Sequence, residues 1–265
     1  MEKDILNFAH ANGFPAKVYS KMLTELSKDN EVIFKEMYAH DPQYPITKDW
    51  MKSAEEMIAF IEQQTNRPVI GVGHSFGASI TLNAAFKRPD LFQLIILIEP
   101  VILNGWMATL APIAYALDLF KYFSPAMKSK GRREHWPDME SATEYFKSKT
   151  LFNQLDEDCL QDYLQYGLKK TNDGYVLAFT VEKELDIFNV MPYHFDRYKK
   201  RLKNLPGKII SADRTNVSQP KFMKRLAHQH NFEWEIVKGT HMLPLESPIY
   251  TAELIRQSIA HLTKN

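Results

Sequence analysis

Two apolar runs that do not alternate constrain the fold most: "VIGVG" at residues 69–73 and "LFQLIILIEP" at residues 91–100. A strand with one wet face alternates apolar and polar residues, so a continuous apolar run belongs to a strand covered on both faces. Between the two runs lies a helix-like stretch that stops at "KRPD", and the same rhythm precedes them. "DILNFA" (4–9) reads as a strand, and "AKVYSKMLTELSK" places Tyr19, Met22, Leu23 and Leu26 at helical spacing. "EVIFKEMY" (31–38) is a second strand, followed by "TKDWMKSAEEMIAFIEQQ" with Trp50, Ala54, Met57, Ile58 and Ile61 on one face. Strands that alternate with helices need right-handed crossovers and a parallel sheet, so the fold class is α/β.

After Pro100 the rhythm breaks. To about residue 201 the chain reads mainly as helices, including "DEDCLQDYLQYGLKK" with Leu160, Leu164 and Leu168, and is rich in Met, Tyr and Phe. The α/β pattern resumes with strand "GKIIS", helix "QPKFMKRLAHQH", strand "EWEIVKG" and a last helix beginning at Ser247-Pro248, a favourable N-cap and first-turn pair. The division expected is a core of residues 1–103 and 202–265 with a helical insertion at 104–201.

With 265 residues and 45% hydrophobic content, the chain can bury one large core. A net charge of +1 supplies no field to draw in nucleic acid or an anionic membrane, so a partner must be recognised at a local site. The single cysteine, Cys159, cannot form an internal disulfide, and the first residues lack a long apolar signal segment, which makes the cytoplasm the expected compartment. The most lipid-like stretch, residues 105–123, is interrupted by Asp118 and Lys121 and reads as a buried or cap helix; no stable membrane insertion is expected. The basic run "RYKKRLKN" (197–204) reads as a solvated helix face.

Chemistry concentrates at "GHSFG" (73–77). A bare G-x-S-x-G arises by chance in roughly one chain in ten of this length, but here it lies where a buried strand turns into a helix. Gly73 and Gly77 leave room for a strained turn that lifts the Ser75 hydroxyl above the sheet, and the helix N-terminus favours negative charge there. A plain capping serine would not need glycine on both sides. Ser75 is therefore the candidate nucleophile, and it requires a base. Of nine histidines, His241 in "VKGTHMLPLESP" lies after the last strand, at the sheet edge where Ser75 emerges. His74 suits a supporting role, and the His228/His230 pair does not share a face, so no metal site is expected and no cofactor is called for. Backbone N–H donors for an oxyanion are expected at Phe76, just after the nucleophile, and at Phe14 in "HANGFP", unless that segment is a simple Asn-Gly turn.

Together these segments resemble the α/β-hydrolase superfamily: "NGFP" is similar to its oxyanion loop, "GHSFG" to its nucleophile elbow and "GTHMLPLESP" to its histidine segment. The resemblance implies a mostly parallel sheet of about six strands with helices on both faces, lacking the usual first hairpin, and a helical cap over the site. Where family members carry an Asp after the seventh strand, "SADRTNV" offers Thr215, so the acid is either Asp213 or, as favoured here, Glu99 at the end of "LIILIEP", a strand end from which some members supply it. A Ser at the elbow argues against epoxide hydrolase and dehalogenase chemistry. The resemblance implies cleavage of a small-molecule carboxylic ester, with Trp106, Met107, Tyr115, Phe120, Trp136 and Phe146 suggesting an apolar acyl or alcohol group. A thioesterase, lipase or carbon–carbon bond hydrolase, or a non-catalytic ligand-binding relative, are the alternatives.

Overall fold

A computed structural model of the chain describes residues 2–103, 105–116, 131–193, 202, 204–215, 217 and 219–264. In chain order it contains β1 (Ile5–Ala9), α1 (Ser20–Ser27), β2 (Glu31–Phe34), α2 (Met51–Gln64), β3 (Val69–His74), α3 (Phe76–Lys87), β4 (Phe92–Ile98) and α4 (Gly105–Ala116). There follow β5 (His135–Trp136), α5 (Met139–Lys147), α6 (Thr150–Asn153), α7 (Glu157–Tyr166), β6 (Leu168–Thr171), β7 (Gly174–Leu177) and α8 (Val181–Phe188). The chain ends with β8 (Gly207–Ala212), α9 (Pro220–His230), β9 (Glu233–Val237), α10 (Leu243–Glu246) and α11 (Pro248–Leu262).

Six strands form one sheet in the order β2-β1-β3-β4-β8-β9, and every neighbouring pair is parallel. The missing alternation in the sequence now has its cause. Side chains along a strand point to opposite faces in turn, and here both faces are dry. Leu6, Phe8, Ile70, Val72, Leu94 and Ile96 join Met22 and Leu26 of α1 and Leu254 and Ile255 of α11 in one apolar cluster. Ile5, Val69, Ile95 and Leu97 join Ala54, Met57 and Ile61 of α2, Ile80 of α3 and Met223 of α9 in the other. Each fully buried Leu, Ile or Phe contributes about 1.5–3 kcal/mol relative to exposure, so the two layers clamp the sheet from both sides. Strand order reverses between β1 and β3, the place in an open parallel sheet where a crevice forms at the carboxyl edge.

Between β4 and β8 the structure departs from the helical expectation: β5, β7 and β6 make a small antiparallel sheet. The helix read through "GLKK" stops at Tyr166, because residues 168–171 pair with residues 174–177 around an Asn-Asp-Gly turn in which Gly174 takes φ +127°. This segment packs onto the carboxyl edge of the large sheet. Trp50 donates its indole N–H to Ile187 O (2.9 Å), Asn12 Nδ2 donates to Glu184 O (3.0 Å), and Lys21 Nζ pairs with Asp156 (2.8 Å). Ser247 does occupy the N-cap of α11, but its hydroxyl makes no capping bond; Pro248 alone supplies the expected start. No described helix is long and apolar enough to cross a membrane. The run "RYKKRLKN" lies almost wholly outside the described residues.

Candidate active site

β3 ends at His74, and Ser75 turns the chain into α3 with φ +56° and ψ −116°, a conformation that residues with a β-carbon rarely adopt. The two glycines of the motif make that turn possible. A β-carbon on Gly73 would lie 2.5 Å from Ala78 N, and one on Gly77 would lie 2.1 Å from Ala9 O, both impossible contacts with backbone. Ser75 N–H is donated to Ile98 O (2.9 Å), which pins the turn to β4.

His241 arrives from the loop after β9, and its two ring nitrogens bridge the site. Nε2 lies 2.9 Å from Ser75 Oγ and Nδ1 lies 3.0 Å from Glu99 Oε2. With a proton on Nδ1 donated to the carboxylate, Nε2 is left as the acceptor for the serine hydroxyl. Glu99 is fully buried and sits at φ +51° one residue beyond β4. A buried carboxylate is costly unless donors surround it. Here Oε1 accepts Ala212 N–H (2.8 Å), while Oε2 accepts the Thr215 hydroxyl as well as His241. Thr215 thus helps hold in place the carboxylate that comes from the end of β4.

Asp213, the other acid considered, bonds to Gly239 rather than to His241. It is half exposed, lies beside Arg214, and accepts Gly239 N–H (2.9 Å), so it fastens the loop that carries His241. The structure therefore brings Ser75, His241 and Glu99 together and leaves Asp213 out.

The loop after β1 requires a correction. Phe14 N–H is donated to Ala11 O (3.2 Å), closing an Asn-Gly turn with Gly13 at φ +82°, so that amide is spent and is not the second oxyanion donor. The backbone N–H groups of Asn12 and Phe76 have no acceptor among the described residues. The close approach of Gly77 to Ala9 O and His10 O brings this loop against the N-terminus of α3. His10 anchors it: Nδ1–H is donated to Ala11 O (2.8 Å) and Nε2 accepts Tyr38 N–H (2.8 Å). Burial lowers the His10 pKa to about 4, so the ring is neutral. Phe14 itself stacks on Phe152 (5.8 Å) and meets Tyr163 (5.2 Å), packing the inserted segment onto the loop.

Trp136 and Phe146 are buried in the core around those same rings, so their aromatic character serves packing rather than a substrate pocket. The side chains of Trp106, Met107, Tyr115 and Phe120 lie outside the described residues. No cluster of three or more potential metal ligands occurs among the described residues. Two participants are not legible in the sequence. Ala212 contributes only a backbone N–H, which no side-chain pattern announces, and Tyr19, whose hydroxyl lies 2.8 Å from His74 Nδ1, is indistinguishable in sequence from the apolar positions Met22, Leu23 and Leu26 that follow it.

A sequence model of the alpha/beta hydrolase family matches residues 8–254. Among individual proteins, the type I acyl-CoA thioesterase mpaH of Penicillium brevicompactum is 30% identical over 118 residues, 42% of this chain and 24% of that protein. The chain thus spans about a quarter of that relative. The uncharacterized hydrolase YugF of Bacillus subtilis (strain 168) is 25% identical over 221 residues, 80% of this chain and 71% of the relative. Solved structures with the same fold include E-2-(acetamidomethylene)succinate hydrolase, with a TM-score of 0.76 and 18% identity over 98% of this chain and 92% of that one. The thioesterase domain from the curacin biosynthetic pathway has a TM-score of 0.74 and 16% identity over 96% and 92% of the two chains.

Proposed function

Because the chain belongs to the alpha/beta hydrolase family, we propose that it is a serine hydrolase that cleaves small-molecule carboxylic esters through an acyl-enzyme, with residues 104–201 serving as a cap. The observation that carries this reading is the bridge His241 makes between Ser75 Oγ and the buried Glu99 carboxylate. Ser75 Oγ attacks the ester carbonyl while His241 Nε2 takes its proton, and Glu99 stabilises the imidazolium that results. The negative charge on the former carbonyl oxygen is met by Phe76 N–H at the start of α3 and by Asn12 N–H, which we assign in place of Phe14. Collapse of the tetrahedral intermediate expels the alcohol, protonated by His241, and leaves Ser75 acylated. Water then attacks the acyl group with His241 as base, and the acid product leaves with Ser75 restored.

The test uses para-nitrophenyl esters of graded chain length with wild type and Ser75→Ala. Turnover should fall by at least about 10³-fold in the variant, and a fluorophosphonate should label wild type only. Equal rates in the two proteins would overturn the assignment. A thioester substrate is the second reading, favoured by the similarity to acyl-CoA thioesterase mpaH. An acyl-CoA and a para-nitrophenyl ester carrying the same acyl chain separate the two by their kcat/KM.

A further inference from the structure

His74 immediately precedes Ser75 but carries no proton in the reaction described above. It is fully buried, with Nε2 2.7 Å from His241 O and Nδ1 2.8 Å from the Tyr19 hydroxyl. The Tyr19 oxygen in turn accepts Ala11 N–H (3.2 Å). Burial, reinforced by the neighbouring His241, lowers the His74 pKa to about 3, so the ring is neutral and owns one N–H. A carbonyl can only accept, which places that N–H on Nε2 and makes Nδ1 the acceptor of the Tyr19 O–H. Every bond then runs in one direction, from Ala11 N–H through Tyr19 and His74 to the main-chain carbonyl of His241.

We propose that Tyr19 and His74 are positioning residues for the ester reaction, a rigid relay that sets the backbone of His241 relative to the oxyanion loop through Ala11. Both ends matter. One carries the base, the other leads into Asn12, and a displacement of about 1 Å at a reacting group can cost 100-fold in rate. The neutrality of His74 serves the same end, because its ring centroid is 5.3 Å from that of His241 and a charge there would oppose the imidazolium. The proposal rests on the serine hydrolase reading.

Three variants test it on para-nitrophenyl esters, with folding checked by thermal unfolding. His74→Gln can place an amide N–H near the position of Nε2, whereas His74→Asn is too short to reach His241 O; Tyr19→Phe removes one oxygen and keeps the ring. The expected order of loss in kcat is about 3-fold for His74→Gln, 10-fold for Tyr19→Phe and 30-fold or more for His74→Asn, with KM within about twofold throughout. Fluorophosphonate labelling of Ser75 should slow in the same order. If His74→Asn matched His74→Gln in kcat while Ser75→Ala stayed inactive, the relay would be wrong and the nucleophile right. A Ser75→Ala protein as active as wild type would remove the reading and the relay together.

Discussion

Ser75 and Glu99 stand at the ends of neighbouring parallel strands, and both adopt positive φ, +56° and +51°, yet they are held in different ways. The turn at Ser75 is enforced by backbone on all sides. Gly73 and Gly77 approach main-chain atoms so closely that no side chain fits, and no other residue type could replace them. The turn at Glu99 has a main-chain bond of its own, from its N–H to Ile210 O, but its side chain is also gripped, by a backbone N–H from Ala212, the Thr215 hydroxyl and His241. A backbone-built feature tolerates no change in its own residues, whereas one built from side chains can be loosened one contact at a time.

The largest break in that comparison should come at the acid. Glu99→Gln keeps the shape but cannot stabilise an imidazolium, and kcat should fall by about 10³- to 10⁴-fold. Asp213→Asn, which retains an acceptor for Gly239 N–H, should stay within about threefold. Steady-state kinetics on the two variants decide between the carboxylates, and a greater loss at Asp213 would reverse the assignment. At the elbow the effect appears in stability. Gly77→Ala should cost at least about 3 kcal/mol, because its new methyl would overlap Ala9 O, and denaturant unfolding measures it.

A smaller effect separates backbone-bound histidines from the rest. His10 is depressed to about 4 in the folded chain, so it stays neutral while the unfolded chain takes up a proton below the ordinary histidine value of 6.5. Its full contribution is therefore present above pH 6.5 and is lost as pH falls from 6.5 toward 4, by up to about 3 kcal/mol. His10→Gln should show a shallower loss of stability over that window, and an identical slope in the two proteins would contradict a buried neutral ring. The mildest change is Thr215→Val. Losing one of three donors to a carboxylate that keeps its other two should lower kcat about tenfold, with little change in KM.

These differences also decide what could be read from the sequence. Gly-x-Ser-x-Gly after an apolar run is local, so the elbow, the strand before it and the helix after it were all legible within 14 residues. His241 was legible from its place between the last strand and the last helix. The acid was legible only as a choice, because Glu99 and Thr215 are 116 residues apart and meet through the sheet. Phe14 was misassigned because the chain around Asn12 and Gly13 closes a turn, and which amide a turn consumes depends on φ and ψ rather than on residue type. The small antiparallel sheet is not legible because a helical stripe of leucines runs up to Leu168, where its strand β6 begins.

The bond from Ser75 N–H to Ile98 O, together with that from Glu99 N–H to Ile210 O, has a mechanical consequence. Ser75 is tied to the end of β4 and Glu99 to β8, so their separation is fixed by the sheet itself. His241 alone rides on a loop. Alignment of the three groups therefore depends on what holds the short connection between β9 and α10, namely Asp213 on Gly239 N–H and His74 on His241 O.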